Sequence, residues 1–515
     1  MLRGKCAVEV ARLEDMPLHF GARALQSPLR FARRLLPGFV LAVSAAFAVP
    51  VDVDRALAEF DQRRAQSFAS WLELVSRFPA LPKQNWQSRT SQQPDWRRYA
   101  IPRLQHAVLS LCVNRDVAAA NDLVVSTCST LTEDTARYTG GPSGLHWSGS
   151  LLLRLYFLFG PQGTMAANRL SPTALSAMED LLWRWTDAET RIDDADPRRV
   201  WESWASENHA AMHHGLAWGA TAILANSAKY EKSEFADGFL PAERHAAETD
   251  YAKWWLSERG QRGLLVEIAS NSYSAATLRN WYDYHDFATD PELRRLAENL
   301  LHLWWADCAH ELLDGVRGGG KSRESRGRSD DWSGLAGANA QLAWCAFGVG
   351  KPPGIHLSAY LSIFTSSYRV PRVIAELALD GEGRGSFVYE SRRPGLAVPQ
   401  YTFASQPASG RALHQHFHWI DRERGGIRRY TYVTPDYIVG GNMLDAVPFE
   451  RWTRISDSNR WSGVILRGHP DARTFAQCDV DASDRYGNAR GANEHGTLQE
   501  TSTLIWQKLR ESRNF

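Results

Sequence analysis

Between Trp201 and Gly215 the chain gathers Glu202, Ser203, Trp204, Ser206, Glu207, Asn208, His209, His213 and His214. Ser206 ahead of an apolar helical run reads as an N-cap, which puts Glu207, Asn208 and His209 in the first turn. His213 then falls one turn beyond His209 on the same face. A helix N-terminus favours negative charge, and an amide beside an imidazole can hydrogen-bond a carboxylate or a developing oxyanion. The plain alternative is that these groups cap and pin the helix. His209 and His213 also have the spacing of a zinc pair. No glutamate follows the first histidine, so the metalloprotease motif is absent.

A second cluster runs from Gly263 through Glu267, Ser270 and Tyr273 to Trp281, Tyr282, Asp283, Tyr284 and His285. Tyr273 follows two small polar residues at a loop-to-helix junction, a good place for a proton-transferring phenol. Glu267 is either an acid or a group that orients its neighbours. Tyr284 is either core or a surface for a sugar, as is Trp204, because flat rings complement the apolar faces of pyranoses. A third segment, Gly318-Gly319-Gly320-Lys321, opens a basic stretch carrying Arg323, Arg326 and Arg328. It reads as a flexible loop whose guanidinium forks suit carboxylates or sulfates. Its spacing is not that of a phosphate loop. His414, His416 and His418 alternate along a strand-like run, so three imidazoles share one face; they either form a structural metal site or simply face solvent or a domain interface, the commoner case for strand histidines. Nothing else calls for a cofactor.

These residues need two kinds of element to position them. From about 55 to 366 the apolar spacing is helical, as in Leu57, Phe60, Phe68, Trp71, Leu72, Val75 and Phe78. Further blocks fall near 102–112, 145–159, 172–188, 208–226, 241–258, 272–288, 291–314, 334–348 and 356–366. Helix starts are punctuated by Ser171-Pro172, Leu240-Pro241 and Asp290-Pro291. Helices joined by loops, with no fixed-period repeat, predict paired helices stacked around a ring or superhelix. At Asp380–Gly385 glycines break the pattern, and beyond it Arg429–Thr434 and Tyr437–Val439 have the two-residue alternation of antiparallel sheet. The expected fold is therefore α+β and multidomain, with helices over 49–380 and a β-rich domain over 381–515.

Residues 1–48 read as a signal peptide. Arg23, Arg30, Arg33 and Arg34 precede an apolar run that ends in Ala46-Phe47-Ala48. The run is too short to span a bilayer, so the expectation is export to the periplasm or medium without a stable membrane span. The formal charge of the whole chain is +1, and nothing global argues for nucleic acid. An oxidising compartment would permit a Cys112–Cys128 disulfide.

Taken together, Glu207-Asn208-His209, Gly263…Glu267…Ser270 with Tyr273, and the basic loop at 318–328 resemble the polysaccharide-lyase superfamily of heparinase II/III-like and alginate-lyase-like proteins. The resemblance implies an incomplete (α/α) toroid followed by an antiparallel β-sandwich-like domain. It also implies an acidic polysaccharide or oligosaccharide as substrate, cleaved by β-elimination at a uronic acid. On that resemblance Asn208 and His209 hold the carboxylate, and Tyr273, His213 or His214 removes the C5 proton. Tyr273 then protonates the leaving oxygen, and Arg323, Arg326 and Arg328 hold neighbouring acidic sugars. One rival is an inverting glycoside hydrolase using Glu207 and Glu267, which needs carboxyl groups about 6.5–9.5 Å apart. The other is a non-catalytic glycan-binding envelope protein.

Overall fold

The computed structural model describes residues 8–11, 52–76, 96–133, 144–204, 206–265, 267–270, 273–321, 337–353, 358–392, 397–398, 417–420, 428–443, 461–475 and 495–508. The architecture is α+β: a long helical run is followed by small antiparallel sheets. The helices are α1 (Val53–Ala58), α2 (Phe60–Ser76), α3 (Trp96–Cys112), α4 (Val117–Glu133), α5 (Gly149–Phe159), α6 (Pro172–Glu189) and α7 (Glu207–Ala225). They continue as α8 (Pro241–Gln261), α9 (Ser274–Phe287), α10 (Pro291–His310), α11 (Ala338–Phe347), α12 (Ser358–Thr365), α13 (Arg372–Leu379) and α14 (Gly381–Arg384).

The caps read from sequence hold them in place. Ser171 accepts from the Ala174 N–H, and Asp290 accepts from the Leu293 N–H at 2.9 Å. The Leu240 N–H donates to Glu243 Oε2 at 2.8 Å. On α2 the predicted face of Phe60, Phe68, Trp71, Leu72 and Val75 is buried in one large core.

α7 is the centre of that core. It is buried on nearly every face and packs against α5, α6, α8 and α9, as expected of a helix apolar all round. Two glycines let its neighbours approach. A Cβ on Gly219 would lie 2.4 Å from Leu153 Cδ1, and one on Gly215 would lie 2.7 Å from Asn280 Oδ1.

Two helical readings differ from what forms. α4 was not expected, because its Val, Ser, Thr and Cys residues are poor helix formers; burial of Leu123, Val124, Cys128 and Leu131 overrides that bias. The block expected over 291–314 stops at His310, and Leu312–Leu313 (β3) turns through Asp314 (φ 49°) and Gly315 (φ 81°) into Val316–Arg317 (β4). Two consecutive positive φ values make the tight turn that Asp-Gly favours.

The main sheet has the order β11-β10-β9-β8-β5, with β5 at Phe387–Arg392, β8 at Arg428–Val433, β9 at Tyr437–Met443, β10 at Gly463–Leu466 and β11 at Arg473–Phe475. The hairpin between β8 and β9 is closed by the Thr434 hydroxyl oxygen, which accepts from the Tyr437 N–H at 2.9 Å. A second sheet joins β2 (Glu202–Trp204), from the helical run, to β7 (Phe417–Ile420) and β6 (Ala397–Val398). In a third, β1 (Val8–Ala11) and β12 (His495–Glu500) flank β13 (Thr503–Lys508). β1 lies inside the stretch expected to be cleaved, and cleavage after Ala48 would leave β13 paired with β12 alone.

The helices and the main sheet are joined by buried charge. Asp307 on α10 and Glu311 at its C-cap face Arg317 on β4 and Arg429 on β8, and each arginine contacts both acids. The Tyr389 hydroxyl donates to Asp307 at 2.7 Å, and the Thr431 hydroxyl donates to Glu311 at 2.8 Å. Burial pushes the Asp307 carboxyl up, but Arg429 and Arg317 outweigh it and hold the group down at about 2.

Gly318–Lys321 is not the start of a loose loop but part of this junction. A Cβ on Gly319 would lie 1.9 Å from Glu311 Oε1, and one on Gly440 would lie 2.3 Å from the Gly319 Cα. Lys321 exchanges backbone hydrogen bonds with Trp461, and its ammonium sits 3.7 Å from the centre of the Trp461 ring. The three glycines are there for close backbone approach. Arg323, Arg326 and Arg328 lie outside the described residues, as do His414 and His416.

Cys112 and Cys128 are free thiols, so the disulfide that an oxidising compartment would permit is not formed. Burial pushes the Cys128 thiol up to about 12, which leaves it inert. Among the described residues no helix is long and apolar enough to cross a membrane.

Candidate active site

Ser206 caps α7, accepting from the His209 N–H at 3.4 Å while its hydroxyl donates to Asn208 Oδ1 at 2.6 Å. The Asn208 amide is thus placed with its oxygen toward the cap. Asn208 and His209 thus sit in the first turn of α7, as expected. Their environment includes a residue that local pattern did not single out. His146, in the 3-10 turn Leu145–Trp147 ahead of α5, places Nε2 at 2.9 Å from His209 Nδ1. The Trp147 ring meets His209 edge to face at 5.0 Å.

The His146 turn is itself clamped. Arg279 on α9 donates to the carbonyls of Trp147 at 2.9 Å and His146 at 3.1 Å. Burial lowers this guanidinium to about 10, still charged at neutral pH. The one local sign of this turn in the sequence is the Gly140-Gly141-Pro142-Ser143-Gly144 run that precedes Leu145-His146-Trp147.

Glu207 takes a different position from its neighbours. Its Oε1 pairs with Arg259 at 2.7 Å, both side chains being 1% exposed, and its Oε2 accepts from the Glu267 backbone N–H at 3.1 Å. Arg259 is packed over the Trp201 ring at 4.1 Å and the Trp255 ring at 4.9 Å. One carboxylate therefore ties the first turn of α7 to α8 and to the segment that leads into Tyr273. Glu267 is buried as well.

That segment is stiffly held. Leu264 and Ala269 adopt left-handed backbone (φ 66° and 57°), and the Asn339 amide donates to the Ala269 carbonyl at 2.8 Å. The Tyr273 N–H donates to Ser270 Oγ at 3.2 Å, and Tyr273, half-buried, begins α9. Left-handed non-glycine residues cost energy and persist only where the surroundings enforce them.

The other predicted site residues are spread more widely. His213 packs edge to face on Trp185. His214 Nδ1 lies 3.1 Å from Glu248 Oε2, and its ring stacks on Tyr251 at 4.0 Å. Tyr284 is buried against Trp218, and burial raises its phenol well above the usual value. His214, Tyr251, Trp255, Trp281 and Tyr284 surround a cavity of about 10 Å³, room for one water. A cavity of about 250 Å³ beside Phe60, Tyr282, Tyr368 and Arg369 shares no residue with the cluster around His209. Behind these helices Arg154 bridges Asp283 and Asp286, each at 3.0 Å. The backbone of Trp204 pairs with Phe417 and that of Ser203 with His418, so a strand of the C-terminal region runs just before the α7 cap.

Among the described residues no three His, Cys, Asp or Glu side chains are grouped to hold a metal. The arrangement comprises an amide and an imidazole in the first turn of α7, a second imidazole against the first, and a phenol at the start of α9. No family model, curated protein or solved structure matches this chain.

Proposed function

We propose that the chain is a polysaccharide lyase that cleaves a uronic-acid-containing polymer by β-elimination, its helices forming an incomplete (α/α) toroid and its strands a sandwich-like domain. The observation that carries the reading is the double contact of Glu207. By gripping Arg259 and the Glu267 N–H at once, it registers the turn bearing Asn208 and His209 against the segment bearing Tyr273.

In this reading the Asn208 amide and the His209 imidazole donate to the uronate carboxylate at the positive end of α7. Their hydrogen bonds strengthen as C5 gives up its proton and charge moves onto the carboxylate, which lowers the barrier. Tyr273, acting as the phenolate, takes the C5 proton and, now a phenol, gives that proton to the departing glycosidic oxygen. The C4–O bond breaks as the C4–C5 double bond forms. His213, packed on Trp185, and His214, beside Glu248, lie further along α7 than the first turn, and this reading assigns the proton transfer to Tyr273.

The same contact weighs against hydrolysis. An inverting hydrolase needs one carboxyl group to protonate the leaving group and another to activate water. Glu207 is buried in an ion pair, and a group so held serves as a brace.

The test is incubation of the purified protein with alginate, hyaluronan and heparan sulfate, followed by ultraviolet absorbance of the unsaturated uronate. The expected result is absorbance that grows with depolymerisation and disappears in Tyr273→Phe. Depolymerisation without that absorbance would sink elimination. Glycan binding with no loss of chain length would favour a binding protein.

A further inference from the structure

The cavity of about 250 Å³ between α2, α9 and α12 lies apart from the α7 cluster and plays no part in the lyase reading. Its walls divide by exposure. Phe60, Tyr282, Ile363 and Tyr368 are buried, whereas Asp61 and Arg369 are exposed. Apolar, mostly aromatic surface therefore forms the inner part, and two charges stand at the opening. An apolar cavity of ~150 Å³ holds benzene, so this one has room for a single ring with a short side chain. An aromatic wall with a few polar groups set in it is the usual make-up of a small-molecule site.

Two polar groups in that wall have bonds left to make. The Tyr282 hydroxyl accepts from Trp305 Nε1 at 2.9 Å, and its own proton has no acceptor among the described residues. Burial raises this phenol well above its usual value, so it stays protonated and a donor. Tyr282 is 1% exposed, and buried donors are nearly always paired. Arg369 is fixed at the opening. Its Nη1 donates to the Ser366 and Tyr368 carbonyls at 2.7 and 2.9 Å, and the guanidinium packs 4.3 Å from the centre of the Phe60 ring. Asp61 Oδ1 is 3.7 Å from its Nη2, beyond hydrogen-bond reach, and lies closer to Arg64, at 3.2 Å. Nε and Nη2 therefore face a ligand with donors that no described residue takes up.

We propose that this cavity binds a single-ring aromatic carboxylate bearing an oxygen on the ring. The ring packs among Phe60, Tyr282 and Tyr368, the ring oxygen accepts from the Tyr282 hydroxyl, and the carboxylate takes the remaining side of the Arg369 fork. A simple inorganic anion would leave the aromatic wall uncovered. A plain hydrocarbon would leave both donors unsatisfied.

Calorimetric titration of the purified full chain with para-hydroxyphenylacetate tests this. No polysaccharide is present, so the outcome is independent of the lyase reading. The expected Kd is ~0.1–1 mM, ordinary for a ligand of this size. The neutral para-hydroxyphenylacetamide is expected to bind ~10-fold more weakly and phenylacetate ~3-fold more weakly, for loss of a charge-assisted and a neutral hydrogen bond respectively. In Arg369→Gln, a change at an exposed side chain, the acid should fall to the affinity of the amide. In Tyr282→Phe the advantage of para-hydroxyphenylacetate over phenylacetate should vanish. Should Tyr282→Phe not fold, because Trp305 loses its acceptor, the ligand series on the parent and on Arg369→Gln still decides the matter. Absence of binding at ~10 mM ligand, an order of magnitude above the expected Kd, overturns the proposal. So do equal affinities for acid and amide, or an acid affinity unchanged in Arg369→Gln.

Discussion

Two buried polar clusters in this molecule use similar residues to different ends. At the junction between α10 and the main sheet, Asp307, Glu311, Arg317 and Arg429 form a closed set: two acids face two guanidiniums, and each arginine contacts both acids. At the first turn of α7 only Glu207 has that character, matched by Arg259. Asn208, His209 and His146 beside it are amide and imidazole groups that can donate and accept hydrogen bonds. A closed ionic set fixes the relation of two structural units and offers little to a ligand. A row of neutral donors on a helix N-terminus costs less to bury and can answer charge that arrives with a substrate.

The comparison is most severely strained by Arg429→Met. It leaves Asp307 and Glu311 facing Arg317 alone, and breaking a buried ionic cluster typically costs about 3–5 kcal/mol of stability. Chemical denaturation should show that loss, while turnover per folded molecule stays near the parent value. Asn208→Ala should do the reverse. A loss of ~10²–10³ in kcat, or about 3–4 kcal/mol of barrier, is expected if the amide acts on developing charge, with a stability change of about 1–3 kcal/mol for removing a buried amide that accepts from the Ser206 hydroxyl. A large drop in melting temperature for Asn208→Ala would make it a brace like Arg429.

Glu207→Gln probes the boundary between the two behaviours. Losing one partner of the Arg259 pair should destabilise the fold by about 3 kcal/mol, and it should also lower kcat because the Tyr273 segment loses its register. If kcat per folded molecule is unchanged, the two segments are held by something else.

The smallest effect is in pH. The Asp307 carboxyl is held at about 2 in the folded chain, against ~3.9 for an exposed aspartate. Because the folded value is the lower one, the ionised form stabilises. That contribution, on the order of 2 kcal/mol, is complete above pH ~4 and is lost as pH falls from ~4 through 2. An acid titration of stability in Asp307→Asn should lack this component; an unchanged profile would mean that other carboxylates carry the acid loss.

What the sequence disclosed and what it hid follow one physical division. Local signals were legible: the apolar face of α2, the caps at Ser171, Asp290 and Ser206, and the paired β-branched and aromatic runs of β8 and β9. α4 was hidden because tertiary burial, not propensity, makes it helical. The β3–β4 hairpin was carried by Asp314-Gly315 and lost to the long apolar pattern around it. In the candidate site, the placement of Asn208 and His209 was readable from the cap. The roles of their partners were not, since His146 comes from 63 residues earlier and Arg259 from the far end of α8. Glu207 looked like an acid because burial has no local signature. The glycines at 318–320 suggested freedom where the structure uses them for close packing.

The central claim is that the α7 cluster supports elimination, and stoichiometry tests it most directly. New reducing ends and unsaturated uronate ends would be counted together during cleavage of the same polymer by the full chain. The account predicts one unsaturated end for every new reducing end, with both lost in Asn208→Ala. New reducing ends without unsaturated ends would contradict it and return Glu207 and Glu267 to the role of hydrolytic acids.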